Sequence, residues 1–285
     1  MGAFRDTLAT RLKPSRRNAD IEEERTPPKG TCVSPESNSL HLRSSDEESC
    51  ARASHRILTL LTTISANLSM LRKPDLLRTC EDYDEALSEA GMALEELRRT
   101  LTNLFALEDI RPGRNDCIPA SEIDEIVKVQ IANIRFRYPH PETVIETEIE
   151  TGGRGFPLGS RELETVLENL LDNARKFCDK PIPTIRLAIS CDPSSAVITV
   201  EDNGCGIQPA DRDRVFDRFF QAGERAPHPR GVGLGLPLVK ALVVARNGNL
   251  SLRSTPGSGT AVTLAIPNPP SRAHPTQSST STPGR

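Results

Sequence analysis

"LETVLENLLDNARKF", residues 163–177, is the stretch that decides the reading of this chain. Leu163, Val166, Leu167, Leu170, Leu171 and Ala174 recur at helical spacing and make one apolar face, with Ser160 placed to cap the helix. Asn169, Asn173 and Lys176 fall together on a stripe beside that face. Asparagine carbonyl oxygens are hard, neutral donors. They suit Mg²⁺, which keeps several waters and binds largely through substrate phosphates. Lys176 adds positive charge near such phosphates.

Three further segments follow in order. "VEDNGCGI" (200–207) carries Asp202-x-Gly204-x-Gly206 at the end of an apolar strand pattern. A carboxylate there can accept a hydrogen bond from an amine such as that of adenine, and the glycines let the backbone turn tightly against a ligand. "VFDRFFQ" (215–221) contributes Phe216, Phe219 and Phe220. Gly231-x-Gly233-x-Gly235 then opens a helix, whose first N–H groups attract phosphate. The spacing is not the Gly-x-Gly-x-x-Gly of a dinucleotide site, and no P-loop lysine motif occurs. Taken in this order, the four segments suit the parts of one Mg-ATP molecule.

Around this site the pattern predicts a helix from Ser121 to about Arg137, opened by a Ser121-x-x-Asp124 capping box, and a strand over 143–149. Strands at 184–190 and 196–202, a short helical stretch at 211–219, a helix over 235–246 and strands at 250–254 and 260–266 follow. That order predicts a two-layer α/β sandwich over 111–267, with helices on one face of a mixed sheet.

Upstream, 47–110 reads as a helical hairpin. Ile57, Leu61, Ile64, Leu68 and Leu71 form a heptad seam. After a break at Lys73-Pro74-Asp75, Cys80, Tyr83, Leu87, Ala90, Leu94, Leu97, Leu101 and Leu104 form a second. Cys80 is expected in the core of that seam. One hairpin buries only one stripe, so the expected arrangement is a homodimeric four-helix bundle. The fold class is therefore α+β.

Composition bounds the rest. Of 285 residues, 36% are hydrophobic, and the deficit lies in the Ser-, Pro- and charge-rich ends, so 1–46 and 268–285 are expected to be disordered tails. A net charge of -3 does not mark a nucleic-acid binder. No apolar run reaches transmembrane length, which leads to the expectation of a cytoplasmic protein. Seven scattered cysteines form no Cys-x-x-Cys pair, so neither a disulfide framework nor a zinc site is expected, and an accessible, oxidisable Cys205 in the glycine turn is the minority reading.

The four segments, extended through "RGVGLGLPLVKALVVARNGNLSLRSTPGSGTAVTLAIP" (230–267), resemble the N, G1, F and G2 boxes of sensor histidine kinases. The resemblance covers about residues 47–267 and implies a Bergerat-type ATP-binding domain behind a dimerisation and phosphotransfer hairpin. It implies Asn173, assisted by Asn169, on Mg²⁺, Lys176 on phosphate, Phe177 beside adenine and Asp202 on the adenine amine. Gly204, Gly206, Gly231, Gly233 and Gly235 would shape the nucleotide loops. Residues 221–230 would be the ATP lid, anchored by Phe216 and Phe219. Related ATPases such as gyrase and Hsp90 carry a water-activating Glu where this chain has Asn169, so an acceptor other than water is implied.

"HRILTLLTTI" (55–64) resembles the family's phosphoacceptor segment and implies that His55 takes the phosphate. Arg56 stands where the family has an acidic residue, and arginine cannot act as a base. Leu60 replaces the family's helix-kinking proline. Thr59 holds the position that orients water for dephosphorylating the partner regulator. The implied function is autophosphorylation of His55 and exchange of phosphate with an aspartate on a response regulator receiver domain. The alternatives are an ATP-binding adaptor and a phosphatase-biased regulator. The 46 residues ahead of the hairpin are short for a sensor domain, which leaves input through a partner, through the tails or from a separate sensor protein.

Overall fold

The structure, a computed structural model, describes residues 35–72, 79–111, 116–222 and 231–268. The chain divides into two units, Met1–Ser44 and Ser45–Arg285. In the first, only residues 35–44 are described, and they are helical. They belong to helix α1 (Pro35–Leu71), which begins well before the expected start near Glu47. The expected tail of 1–46 is thereby corrected over 35–46. Proline suits a first helical turn because its missing N–H has no partner there anyway, and no glycine or proline interrupts 36–71. Residues 1–34 and 269–285, the rest of the expected tails, lie outside the described residues.

Helix α2 (Cys80–Glu108) opens with a capping box. The Thr79 hydroxyl accepts from Asp82 N–H at 3.1 Å, and the Asp82 carboxylate accepts from Thr79 N–H at 2.9 Å. Asn67 of α1 donates to Glu89 of α2 at 3.2 Å. Among the described residues, Leu60 and Asn67 are buried on α1, and the small Ala86, Ala90 and Ala93 with Thr100 and Asn103 on α2. Much of the leucine seam is left uncovered: Leu68 is 50% exposed, Leu87 56% and Leu94 58%. Cys80 is exposed too, at the first residue of α2, against the expectation of a core position.

The sandwich follows the expected element order. Helix α3 (Ala120–Arg137) is followed by β1 (Val144–Glu150), α4 (Ser160–Lys176), β2 (Thr184–Cys191) and β3 (Ser195–Asp202). Two 3₁₀ turns, Pro209–Asp211 and Arg214–Phe216, precede α5 (Gly235–Ala245), β4 (Asn249–Thr255) and β5 (Gly259–Pro267). The strands lie in the order β1-β2-β3-β5-β4. Among these strands only β1 and β2 pair in parallel, and the connection that a parallel pair needs carries α4. Ile185, Leu187 and Ile189 alternate with more exposed residues on β2, as do Ala196, Ile198 and Val200 on β3. Their shared face meets fully buried Leu163, Leu167 and Leu171 of α4 and Leu238 of α5 in one core. Each such side chain contributes about 1.5–3 kcal/mol.

Both expected caps differ in detail. Pro119 is the N-cap of α3 and makes no side-chain cap bond, so Ser121 lies inside the helix. The bridge between Ile118 and Phe156 holds the preceding residue extended and sets the earlier start. Gly159, not Ser160, caps α4. Its N–H donates to the Glu162 carboxylate at 3.0 Å, while the Ser160 hydroxyl lies 3.4 Å from Glu122.

Candidate nucleotide site

A cavity opens where β3, β5, the C-terminal half of α4 and the start of α5 meet. Asn173, Lys176 and Phe177 line it from α4 and its C-terminus, Val200 and Asp202 from β3, and Thr260 and Val262 from β5. Gly206, Ile207, Val215, Phe220 and the 231–235 run complete the walls. The cavity thus gathers Asn173, Lys176, Phe177, Asp202, Gly206, Gly231, Gly233 and Gly235. Gly204 is buried next to it, and Asn169 lies outside the lining, 2% exposed.

At the β3–β5 end, Asp202 Oδ1 accepts from Gly204 N–H at 2.8 Å and Thr260 N–H at 3.2 Å. Burial pushes this carboxyl up to about 6, against the pull of those two N–H groups, and Glu201 adds to the rise. The turn after Asp202 needs glycine. Gly206 has φ +67°, and a Cβ there would stand 2.2 Å from the Thr255 carbonyl oxygen. Gly233 has φ +75° and lies equally tight against the Phe219–Phe220 backbone. Apolar Ile207, Val215 and Val262, with half-exposed Phe177, suit a planar base between the glycine turns.

The aromatic segment borders the glycine run. Phe219, at φ +64°, donates its N–H to Gly233 carbonyl at 2.8 Å. Gln221 Nε2 donates to the Gly231 carbonyl at 2.9 Å. Lys240 lies 5.5 Å from the Phe216 ring centre and Arg214 lies 4.2 Å from that of Phe220. Of the expected lid, residues 223–230 lie outside the described residues.

The opposite end is polar, and four of its residues belong to α2: Glu96, Arg99, Thr100 and Asn103. Asn103 donates to Asn169 Oδ1 at 2.9 Å, and Asn169 Nδ2 donates back to Thr165 carbonyl at 2.8 Å. Lys176 Nζ meets Glu96 at 3.3 Å. Behind them Asp172, fully buried, accepts from Arg99 at 2.5 Å, Arg137 at 2.8 Å and the Tyr138 hydroxyl at 3.0 Å. Burial alone would raise the Asp172 carboxyl; Arg99, Lys176 and Arg137 outweigh it and hold the group below the usual carboxylate range. The same burial, with Asp172 opposite, pushes the Tyr138 phenol up.

The leucine seam dominates a reading of α2, yet 96, 99, 100 and 103 are spaced 3, 1 and 3 and make a polar stripe of helical period. That stripe is the signal by which a sequence could give these residues away. Asp172 carries no such signal, because it sits among leucines.

The donor chemistry fits a Mg²⁺ ion that arrives with phosphates. Asn169 and Asn173 present amide oxygens one helical turn apart, and no cluster of three His, Cys, Asp or Glu suited to a metal occurs among the described residues. His55 and Thr59 are not brought to the cavity. Both are exposed on α1, and the Thr59 hydroxyl donates to the His55 carbonyl at 2.9 Å within the helix. Cys205 is exposed at the cavity, which favours the minority reading of that residue.

Residues 159–270 match the family of histidine kinase-, DNA gyrase B- and HSP90-like ATPases. This part of the chain is an ATP-binding domain of that class. The chain is 30% identical over 228 residues to sensor histidine kinase RcsC of Salmonella typhimurium, covering 76% of this chain and 23% of RcsC. It is 31% identical over 231 residues to the kinase/phosphatase MprB of Mycobacterium ulcerans, covering 76% of this chain and 43% of MprB. Among solved structures, histidine kinase AdeS of Acinetobacter baumannii shares the fold, with TM-score 0.56 at 19% identity over 75% of this chain and 98% of that one. Over about three quarters of its length, this ATP-binding domain included, the chain is similar to sensor histidine kinases. It spans about a quarter of the length of RcsC and less than half of that of MprB. No helix among the described residues is long and apolar enough to cross a membrane.

Proposed function

We propose that this chain binds Mg-ATP in the cavity and moves the γ-phosphate onto His55, then onto an aspartate of a response regulator receiver domain. The observation that carries the reading is Asp202: a carboxylate held by two backbone N–H groups inside an apolar slot, with Lys176 and Asn173 lining the same cavity. Asp202 accepts the adenine amine, and the other pole of the cavity takes the phosphates. Asn173 and Asn169 would hold Mg²⁺, which neutralises phosphate charge when bound. A ring nitrogen of His55 attacks the γ-phosphorus, the bond to the β–γ bridging oxygen breaks, and ADP leaves. Asn169 has no basic group, so water is not activated in its place. The described residues of α1 supply none of the cavity lining, so transfer takes either a movement of the ATP-binding domain toward His55 or the His55 of a second copy.

Arg56 favours a second property, slow autophosphorylation, with Thr59 left to orient water for dephosphorylating the regulator. Incubation with radiolabelled ATP is expected to label the protein slowly, His55→Ala to remove the label, and Arg56→Glu to speed it severalfold. Rapid wild-type labelling that Arg56→Glu does not improve would sink the slow-kinase reading. Labelling that survives His55→Ala would move the acceptor elsewhere.

The uncovered seam supports a homodimer, since leucines exposed at seven-residue intervals are a partner surface. The kinase would work in the cytoplasm, where ATP and receiver domains are found. Sedimentation should give a dimer, and Leu87→Asp with Leu94→Asp should leave monomers with the sandwich intact. A wild-type monomer at micromolar concentration would exclude the four-helix bundle.

A further inference from the structure

We propose that α2 carries a built-in competitor of the nucleotide: Glu96 stands in for a phosphate and Asn103 masks the metal-facing amide, so that the docked hairpin and Mg-ATP exclude one another. The inference rests on the ATP reading above and adds how the site is regulated.

Two contacts carry it. A Glu96 carboxylate oxygen lies 3.3 Å from Lys176 Nζ, and the side chains are only 19% and 14% exposed. The same pair borders the glycine run: a Cβ at Gly231 would stand 2.9 Å from Lys176 Nζ and 3.5 Å from Glu96 Oε1. An anion lodged between a lysine and a glycine turn is what the phosphate end is built to hold, and here the anion is the protein's own. At the far end of the stripe, the second contact closes the neighbouring site. Asn103 Nδ2 donates to Asn169 Oδ1 at 2.9 Å, which is the oxygen a metal would need, and Asn169 is 2% exposed beneath it. Gly235 is pressed to the same atom, since a Cβ there would stand 2.8 Å from it. With Asn103 on one lone pair, Gly235 against it and only 2% of Asn169 exposed, that amide oxygen gives a cation no open approach, and the Glu96 carboxylate repels a phosphate from Lys176. Both obstacles sit on one helix face. They are released together if residues 96–103 withdraw.

The arginines make the docked state selective. Arg99 and Arg137 both bind Asp172, and Arg137 also reaches Glu95 at 3.3 Å and Glu168 at 3.2 Å, so α2, α3 and α4 share one charge network. Any signal that shifts α2 along its axis therefore breaks the competitor contacts. By reciprocity, Mg-ATP binding drives the same shift.

Calorimetry on the full chain tests this with a non-hydrolysable ATP analogue and with adenosine. Glu96→Gln is nearly isosteric and is expected to bind the analogue about tenfold tighter, with or without Mg²⁺, and to bind adenosine as wild type does. Asn103→Ala is expected to tighten analogue binding only when Mg²⁺ is present. In wild type, saturation with Mg²⁺ and the analogue should speed hydrogen exchange over 96–103. The proposal falls if Glu96→Gln leaves analogue affinity within twofold of wild type, or tightens adenosine equally, while Asp202→Asn still weakens both ligands. If wild type binds neither ligand, or binds both as Asp202→Asn does, the ATP reading itself fails and the competitor with it.

Discussion

Asp202→Asn is expected to weaken nucleotide binding about a hundredfold and, in the same protein, to flatten an acid-dependent contribution to stability. The first effect follows from chemistry at one oxygen pair. A buried carboxylate accepting from an amine loses about 1.5–3 kcal/mol when replaced by a group that meets the amine with its own NH₂, and each 1.4 kcal/mol is about a factor of ten in affinity. The fold should tolerate the change, because Gly204 and Thr260 both donate to Oδ1, which asparagine can reproduce.

The stability effect has the sign of a raised carboxyl. Asp202 titrates at about 6 in the folded chain, above its ordinary 3.8. Between those values the folded protein keeps a proton that the unfolded chain has lost. Stability from this group is thus full below the unfolded pKa and is lost as pH rises through the folded one. Each pH unit between the two values is worth about 1.4 kcal/mol, so the ionised carboxyl costs roughly 3 kcal/mol at neutral pH as an upper bound. Denaturant unfolding of the ligand-free protein should therefore favour Asp202→Asn over wild type by about 1–3 kcal/mol more at pH 7.5 than at pH 4. Equal curves at the two pH values would refute the raised carboxyl, and unchanged nucleotide affinity would remove Asp202 from adenine recognition.

Asp172→Ala is expected to cost about 3–5 kcal/mol, which for a folded region of this size lowers Tm by roughly 10 °C. Asp172 is fully buried and is the common acceptor for Arg99, Arg137 and Tyr138, so its loss leaves two guanidinium groups facing one another without their shared carboxylate. Asp172→Asn should cost less, because it keeps the volume and one acceptor. The pH sense is opposite to that of Asp202. A lowered carboxyl lends stability above its unfolded pKa and loses it as pH falls through the folded value. The penalty of Asp172→Ala should shrink in acid, while that of a neutral core variant should not. A loss below about 1 kcal/mol in thermal and chemical unfolding would show that the arginines find other acceptors, Glu168 being the nearest candidate.

These two carboxylates also mark how far the sequence can be read. Asp202 is legible because its role is local: a strand ends, glycines follow at 204 and 206, and the turn itself demands them. Asp172 is not, because nothing within a few residues distinguishes it from a solvated helix residue, and its partners lie 73 and 35 residues away. The element order and the strand faces are readable because period-two and helical apolar patterns are written residue by residue. The caps fall a residue or more from their expected places because the Ile118–Phe156 bridge, a tertiary contact, sets where α3 begins. The start of α1 is hidden from the sequence because a polar helix carries no apolar period to announce it.

From the sequence came the α/β sandwich, the four segments that line the cavity, Asn173, Asp202 and the glycine run among them, and, by resemblance, the expectation of His55 as acceptor beside Arg56. All of these are recorded in short-range spacing and in the backbone freedom of particular glycines. Only the tertiary structure decided that the polar stripe of α2 lines the cavity, with Asn103 on Asn169 and Glu96 on Lys176. Those pairs are 66 and 80 residues apart, and a helix shows which residues share a face without showing what that face meets.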